Sequence, residues 1–206
     1  MEQRSEEWFA LRAGKITGSA FSDVMNVLKS GEAGANRKNL IVRLAVERIT
    51  GACEELYQNE AMRRGTELEP QACAAYEAQT GEFVEHVAFL IHKDKPSVGV
   101  SPDGLVGEGM AEFKCPASMH KHMAALLSGE HAVEYKWQLQ GQLWVANRPW
   151  VDAVSYDPRF PEDLRLAIVR VHRDEVAIKQ LSEQCDQVER EVSEAFNQLQ
   201  QLRKAA

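Results

Sequence analysis

The 206-residue sequence has no apolar run approaching the about 20 residues that cross a bilayer. Its first seven residues, Met1-Glu2-Gln3-Arg4-Ser5-Glu6-Glu7, are charged and lack the apolar segment of an export signal. These two absences predict a cytoplasmic protein with no membrane partner. Cysteine is scarce as well: Cys53, Cys73, Cys115 and Cys185 stand far apart, with no C-x-x-C and no close Cys/His pairing. That spacing excludes a zinc knuckle, a disulfide framework and the grouped thiolates of an iron–sulfur cluster. No Pro-, Gly- or Ser-rich linker, internal repeat or low-complexity tract divides the chain, so one domain over residues 1–206 is expected.

A surplus of positive charge is also missing, since the net charge is −7. Proteins that hold nucleic acid usually carry a basic face that displaces counterions from phosphates. The charge is uneven, however. Residues 1–50 hold eight bases against six acids, whereas from Asp174 onward seven acids face four bases. Carboxylates gathered around a metal lower the total without removing a basic face elsewhere. Hydrophobic residues make up 44 % of the chain, enough for a core and against wholesale disorder.

The pattern predicts helices and strands in a definite order. A short helix covers Trp8–Arg12 and breaks at Gly14. Thr17-Gly18-Ser19 is a turn and cap leading to a helix from about Ser19 to Leu28. Gly31–Gly34 is a loop, and Asn39–Thr50 and Ala61–Thr80 are helical, the latter stopped by Gly81. Strands follow over Phe83–His92, Val98–Val100, Leu105–Val106 and Ala111–Cys115, the last closed by Pro116. Helices near Ser118–Leu127 and Glu134–Ala146 precede strands at Val151–Tyr156 and Leu166–Val171. Val176, Leu181, Val188 and Val192 mark a long amphipathic helix from Asp174 onward. The order implies an α/β (α+β) fold, a central mixed β-sheet flanked by helices.

Pro102-Asp103-Gly104 by itself is an ordinary turn. Glu112-Phe113-Lys114 on the next strand gives it meaning, because side chains two apart on a strand share a face. Glu112 and Lys114 then point together, and a hairpin brings Asp103 beside them. A surface Glu–Lys pair on an edge strand would account for Glu112 and Lys114 alone, but not for all three residues. Two hard oxygen ligands suit Mg²⁺, which keeps waters and also binds substrate phosphate oxygens. Such a metal polarises a phosphodiester and activates water, while an ammonium stabilises the charge that develops.

The spacing PD-x8-E-x-K, from Asp103 through Glu112 to Lys114, matches the PD-(D/E)xK nuclease superfamily, and a restriction-endonuclease-like core is the expected fold. Gly65-x-x-x-Glu69 resembles that superfamily's G-x-x-x-E element, which points to Glu69 ahead of Glu67 as a supporting acid; Pro70 is expected in a first helical turn. Gln138 and Gln142 share a helical face with Tyr135, and the stretch resembles the Q-x-x-x-Y/Q element of exonucleases in the superfamily. Gln138 is the residue expected to contact substrate or the attacking water.

Together with Trp8-x-x-Leu11-Arg12-x-Gly14-x-Ile16-Thr17-x-Ser19, Ser101-Pro102-Asp103-Gly104-Leu105, Lys114-Cys115-Pro116 and Tyr156-Asp157-Pro158-Arg159, these stretches resemble the lambda exonuclease family of alkaline exonucleases, the YqaJ-type viral recombinases. The resemblance implies a Mg²⁺-dependent enzyme, with Mn²⁺ able to substitute. It would digest the 5′ strand of linear double-stranded DNA and leave 3′ overhangs for recombination by strand annealing. It also implies a ring-shaped homotrimer and a single-strand annealing protein as partner. By motif, Asp103, Glu112 and the backbone carbonyl of Phe113 would hold the metal. Glu69 would assist, Lys114 would act on the water, and Gln138 would complete the site. Arg12, Ser19 and Ser101 would hold a 5′-phosphate. An endonuclease or nickase of the same superfamily, needing no end pocket, is the alternative enzyme. A catalytically silent DNA-binding subunit is the alternative of another class, disfavoured by the intact trio.

Overall fold

The computed structural model describes residues 2–53 and 60–205. Two sheets carry the architecture. In the smaller, β1 (Ile16–Thr17) runs parallel to β3 (Lys95–Val100), which pairs antiparallel with β2 (Leu90–His92). In the larger, the order is β4 (Gly104–Val106), β5 (Gly109–Lys114), β6 (Trp150–Tyr156), β7 (Leu166–His172). The β4–β5 and β6–β7 pairs are antiparallel and β5–β6 is parallel. Both sheets are mixed and flanked by helices, as the sequence pattern predicts.

The helices are α1 (Glu6–Arg12), α2 (Phe21–Val24), α3 (Ala35–Thr50), α4 (Glu60–Thr80), α5 (Met119–Ser128), α6 (Glu130–Glu134), α7 (Lys136–Ala146) and α8 (Glu175–Ala205). None is long and apolar enough to cross a membrane. On α8 the residues Ile178, Leu181, Cys185, Val188 and Val192 recur at three- and four-residue steps, and this stripe packs on α2, α3 and the smaller sheet. Ala72, Cys73 and Tyr76 of α4 pack on Phe113, Val154 and Tyr156, one face of the larger sheet. Leu139 and Leu143 of α7 pack on Met110, Val151 and Ala153. Each fully buried Val or Leu in these clusters contributes about 1.5–3 kcal/mol.

Three expectations change. The helix foreseen over Ser19–Leu28 is a 3₁₀ turn, Gly18–Ala20, followed by the four-residue α2. The chain leaves the helix because Val27 bridges Ala33 and Gly34 N–H donates to Asn26 O. Within Phe83–His92 only Leu90–His92 is a strand. The carbonyls of Val87 and Ala88 accept from Gln3 Nε2 and Trp8 Nε1, so the N-terminal segment takes acceptors a ladder would use. Pro70 does not start a helix; it sits inside α4, as does Gly65. Losing the Pro70 N–H costs about 3 kcal/mol in a helix interior, and burial of Ala72, Cys73 and Tyr76 just beyond it offsets that. β5 is a central strand of the larger sheet. Residues Gly109–Phe113 are all buried.

Candidate active site

β5 lies between β4 and β6, and its Glu112 and Lys114 share the face covered by α7. The last β4–β5 pair is Gly104 with Ala111. Beyond it the Phe113 N–H reaches past the ladder, and Asp103 Oδ2 accepts from it at 2.7 Å. The turn residue is thereby fixed to the strand that carries Glu112. Burial first, then the charges of Glu112 and Glu69, push the Asp103 carboxyl well above its usual range, against the pull of Lys114 and the Phe113 N–H.

Glu112 is 3 % exposed, which rules out a surface ion pair. Its Oε1 accepts from Lys114 Nζ at 2.7 Å and from Gln138 Nε2 at 2.5 Å; its Oε2 accepts from Gln142 Nε2 at 2.7 Å. Lys114 Nζ also donates to Gln138 Oε1 at 3.3 Å and lies 4.6 Å from the centre of the Tyr135 ring. Burial lowers the lysine's proton affinity, but Glu112 and Asp103 outweigh that and raise it overall, so Lys114 stands as an ammonium. Sequence reasoning chose Gln138 and passed over Gln142. The signal was present: residues four apart on a helix address the same target, here the two oxygens of one carboxylate. Tyr135 completes that helical face.

Glu69, on α4, lines the same cleft as Asp103, Glu112 and Lys114, a space of about 1680 Å³. Glu67 is exposed and outside the cleft lining. Among the described residues no group of three or more His, Cys, Asp and Glu side chains forms a ready metal cage. The donor set still fits Mg²⁺, which needs only one or two carboxylates and retains its waters. Asp103 and Glu112 supply hard oxygens, and Glu112 Oε2 keeps a lone pair beyond its one donor. Asp103 faces the carboxylates of Glu112 and Glu69 as well as the Lys114 ammonium.

Farther along the cleft lie Arg12 and Ser19. The Arg12 fork donates to Ser101 Oγ at 3.1 Å and to Thr17 Oγ1 at 3.5 Å, and it stacks 3.9 Å from the Trp8 ring centre. Its partners in these bonds are neutral hydroxyls. Burial, with Arg43 adding to it, lowers the guanidinium to about 10, still charged at neutral pH. Ser101 does not line the cleft; its oxygen accepts from both Arg12 and Trp8 Nε1, so it holds the arginine in place. Gly14, at φ 68°, fixes the bend after α1, where a Cβ would meet Arg48 Cγ at 2.5 Å.

The model of the YqaJ-like viral recombinase domain matches residues 7–149 of this sequence. The chain belongs to that family. Among solved structures, this YqaJ-like protein resembles LHK-Exo, an alkaline exonuclease from Laribacter hongkongensis. The two share 38 % identity at a TM-score of 0.88, over 98 % of this chain and 100 % of that one. A structure of LHK-Exo in complex with dAMP matches equally. A phage-related exonuclease from Haemophilus somnus 129PT shares the fold at 16 % identity and a TM-score of 0.74, over 90 % of this chain and 96 % of that one. No curated protein sequence gives a match. Membership in this family, together with the alkaline exonuclease likeness, supports a nuclease function for the YqaJ-like chain.

Proposed function

We propose that the protein is a Mg²⁺-dependent 5′-to-3′ exonuclease that digests one strand of linear double-stranded DNA and leaves 3′ single-stranded overhangs. The observation that carries this reading is a single cleft. It holds Asp103, Glu112 and Lys114 at one place and the half-buried, hydroxyl-bound Arg12 with Ser19 at another. An endonuclease has no need of the second place. Asp103, Glu112 and the Phe113 carbonyl would hold the ion, with Glu69 assisting and Mn²⁺ able to replace Mg²⁺. The bound ion supplies Lewis acidity to the phosphodiester and to the attacking water.

The chain's own groups do the rest. Gln138 and Gln142 keep the Glu112 carboxylate turned into the cleft. Lys114, an ammonium between Glu112 and Gln138, donates toward the charge that develops on the phosphoryl oxygens. Arg12 takes the terminal 5′-phosphate as a fixed fork, with Ser19 as a hydroxyl donor and Ser101 holding Arg12.

A duplex labelled separately at each strand end tests this directly. At each terminus of the duplex the 5′ label is expected to be released while the 3′ label of the opposite strand survives, and a closed circular duplex to stay intact. Cutting of closed circles would establish an endonuclease instead. The proposal extends to a homotrimeric ring acting with a single-strand annealing protein. Light scattering is expected to give three times the 23.1 kDa chain mass, and a monomer mass would remove the ring.

A further inference from the structure

Arg4 has no part in the chemistry above, yet its setting is costly. Its backbone has φ 71°, the left-handed region that non-glycine residues rarely occupy. Strain of this kind costs on the order of 1–3 kcal/mol. Neighbouring groups hold it there. Gln3 Nε2 donates to Val87 O at 2.9 Å and to Pro102 O at 3.0 Å, and Trp8 Nε1 donates to Ala88 O at 2.9 Å. Ser5 caps α1 through the Trp8 N–H. The turn that bears Arg4 is thus strapped to the segment that leads into Asp103.

From this turn the side chain reaches Glu69, Nη2 to Oε2 at 2.9 Å, with 42 % of the arginine side chain and 26 % of the glutamate side chain exposed. Both residues line the cleft. An exposed pair of this kind contributes under about 1 kcal/mol, less than the strain. The ion pair alone does not offset the strain; the strap does, and it leaves a half-exposed guanidinium facing the cleft.

We propose that Arg4 is a second phosphate-binding arginine of the cleft, resting on Glu69 when no DNA is present and taking a backbone phosphate of the digested strand when DNA enters. This rests on the nuclease reading above. The chemistry suits it: a guanidinium fork matches a phosphate in two hydrogen bonds. The backbone is anchored while the exposed tip exchanges one weak partner for another, so the exchange costs little. Arg4 and Arg12 are carried by one strapped segment, and that unit then addresses two phosphates.

Salt dependence separates a phosphate contact from a mere partner of Glu69. Anisotropy of a labelled 5′-phosphorylated duplex is recorded over a salt series, with Ca²⁺ replacing Mg²⁺ to keep the ends intact. Arg4→Gln is expected to weaken binding and to reduce the slope of log affinity against log salt by about 0.9, the contribution of one phosphate contact. Arg4→Lys should restore most of the slope. Lys93→Gln, at an 86 % exposed side chain outside the cleft, should leave it unchanged. A wild-type slope in Arg4→Gln overturns the proposal, and so does an equal loss in Lys93→Gln, which would indicate a general charge effect. If the wild-type protein binds no duplex, the nuclease reading falls and this inference with it. If it binds and Arg4→Gln matches it, only the role of Arg4 falls.

Discussion

Glu112 shows how the fold holds an acidic side chain in its interior. A central strand buries it, and Lys114, Gln138 and Gln142 then supply three donors to its two oxygens. A buried charge with fewer partners would be far more costly. Two predictions follow at this scale. Lys114→Ala is expected to reduce Mg²⁺-dependent digestion by about 10²–10³-fold, the usual loss for a donor aimed at developing charge. Circular dichroism and duplex binding should persist, and near-normal turnover would remove Lys114 from the chemistry. Gln142→Leu leaves Glu112 Oε2 without its donor while keeping the volume. Groups that orient a metal ligand typically contribute about 10–100-fold in metal affinity. Calorimetric titration with Mg²⁺ should show a loss of that order, and unchanged affinity would make Gln142 a packing residue alone.

At the scale of elements, α7 sets Gln138 and Gln142 beside Leu139 and Leu143 on the side that faces the larger sheet, so its placement governs the site. Gly141 permits that placement: a Cβ there would lie 2.1 Å from the fully buried Phe21 ring. Gly141→Ala is therefore expected to cost about 1–3 kcal/mol by overpacking, read as a lower urea midpoint, with activity falling as α7 shifts. Phe21→Leu in the same chain should recover part of the loss. The sequence makes α7 legible through its glutamine spacing, and the β4–β5 hairpin through Pro102-Asp103-Gly104 and the strand after it. It hides whatever depends on distant partners. The acceptors of Val87 and Ala88 are taken by Gln3 and Trp8, more than 75 residues away, and no local pattern announces that. Pro70 inside α4 is hidden for the same reason, because the packing that offsets it is tertiary. Glu69 was found by motif, whereas Arg4, its partner, lies outside any motif.

At the scale of the whole molecule, Asp157 ties separate parts together. It is fully buried and accepts from Arg64 on α4 and from Arg159, whose Nη2 also donates to Ala117 O just beyond β5. Burial raises its carboxyl, but the hydrogen bonds and charge of Arg159, with Arg64, outweigh this and hold it below the ordinary 3.8. A depressed folded value stabilises the protein above the unfolded value, and that stability disappears as pH falls through the folded one. Asp157→Asn should therefore cost about 2 kcal/mol near neutral pH, as for hydrogen bonds to a charged group. The gap between variant and wild type should close below about pH 4 as the wild-type carboxyl loses its charge. Urea unfolding at two pH values measures this, and a gap independent of pH would deny the ionic role.

The two places in the cleft are proposed to act together on a 5′ end. The most direct measurement compares digestion of linear duplexes bearing a 5′-phosphate or a 5′-hydroxyl, in the wild type and in Arg12→Gln. The wild type is expected to prefer the phosphate by at least about 10-fold, the worth of roughly one charge-assisted hydrogen bond, and Arg12→Gln to lose most of that preference. Equal rates on both ends in the wild-type protein would contradict the account.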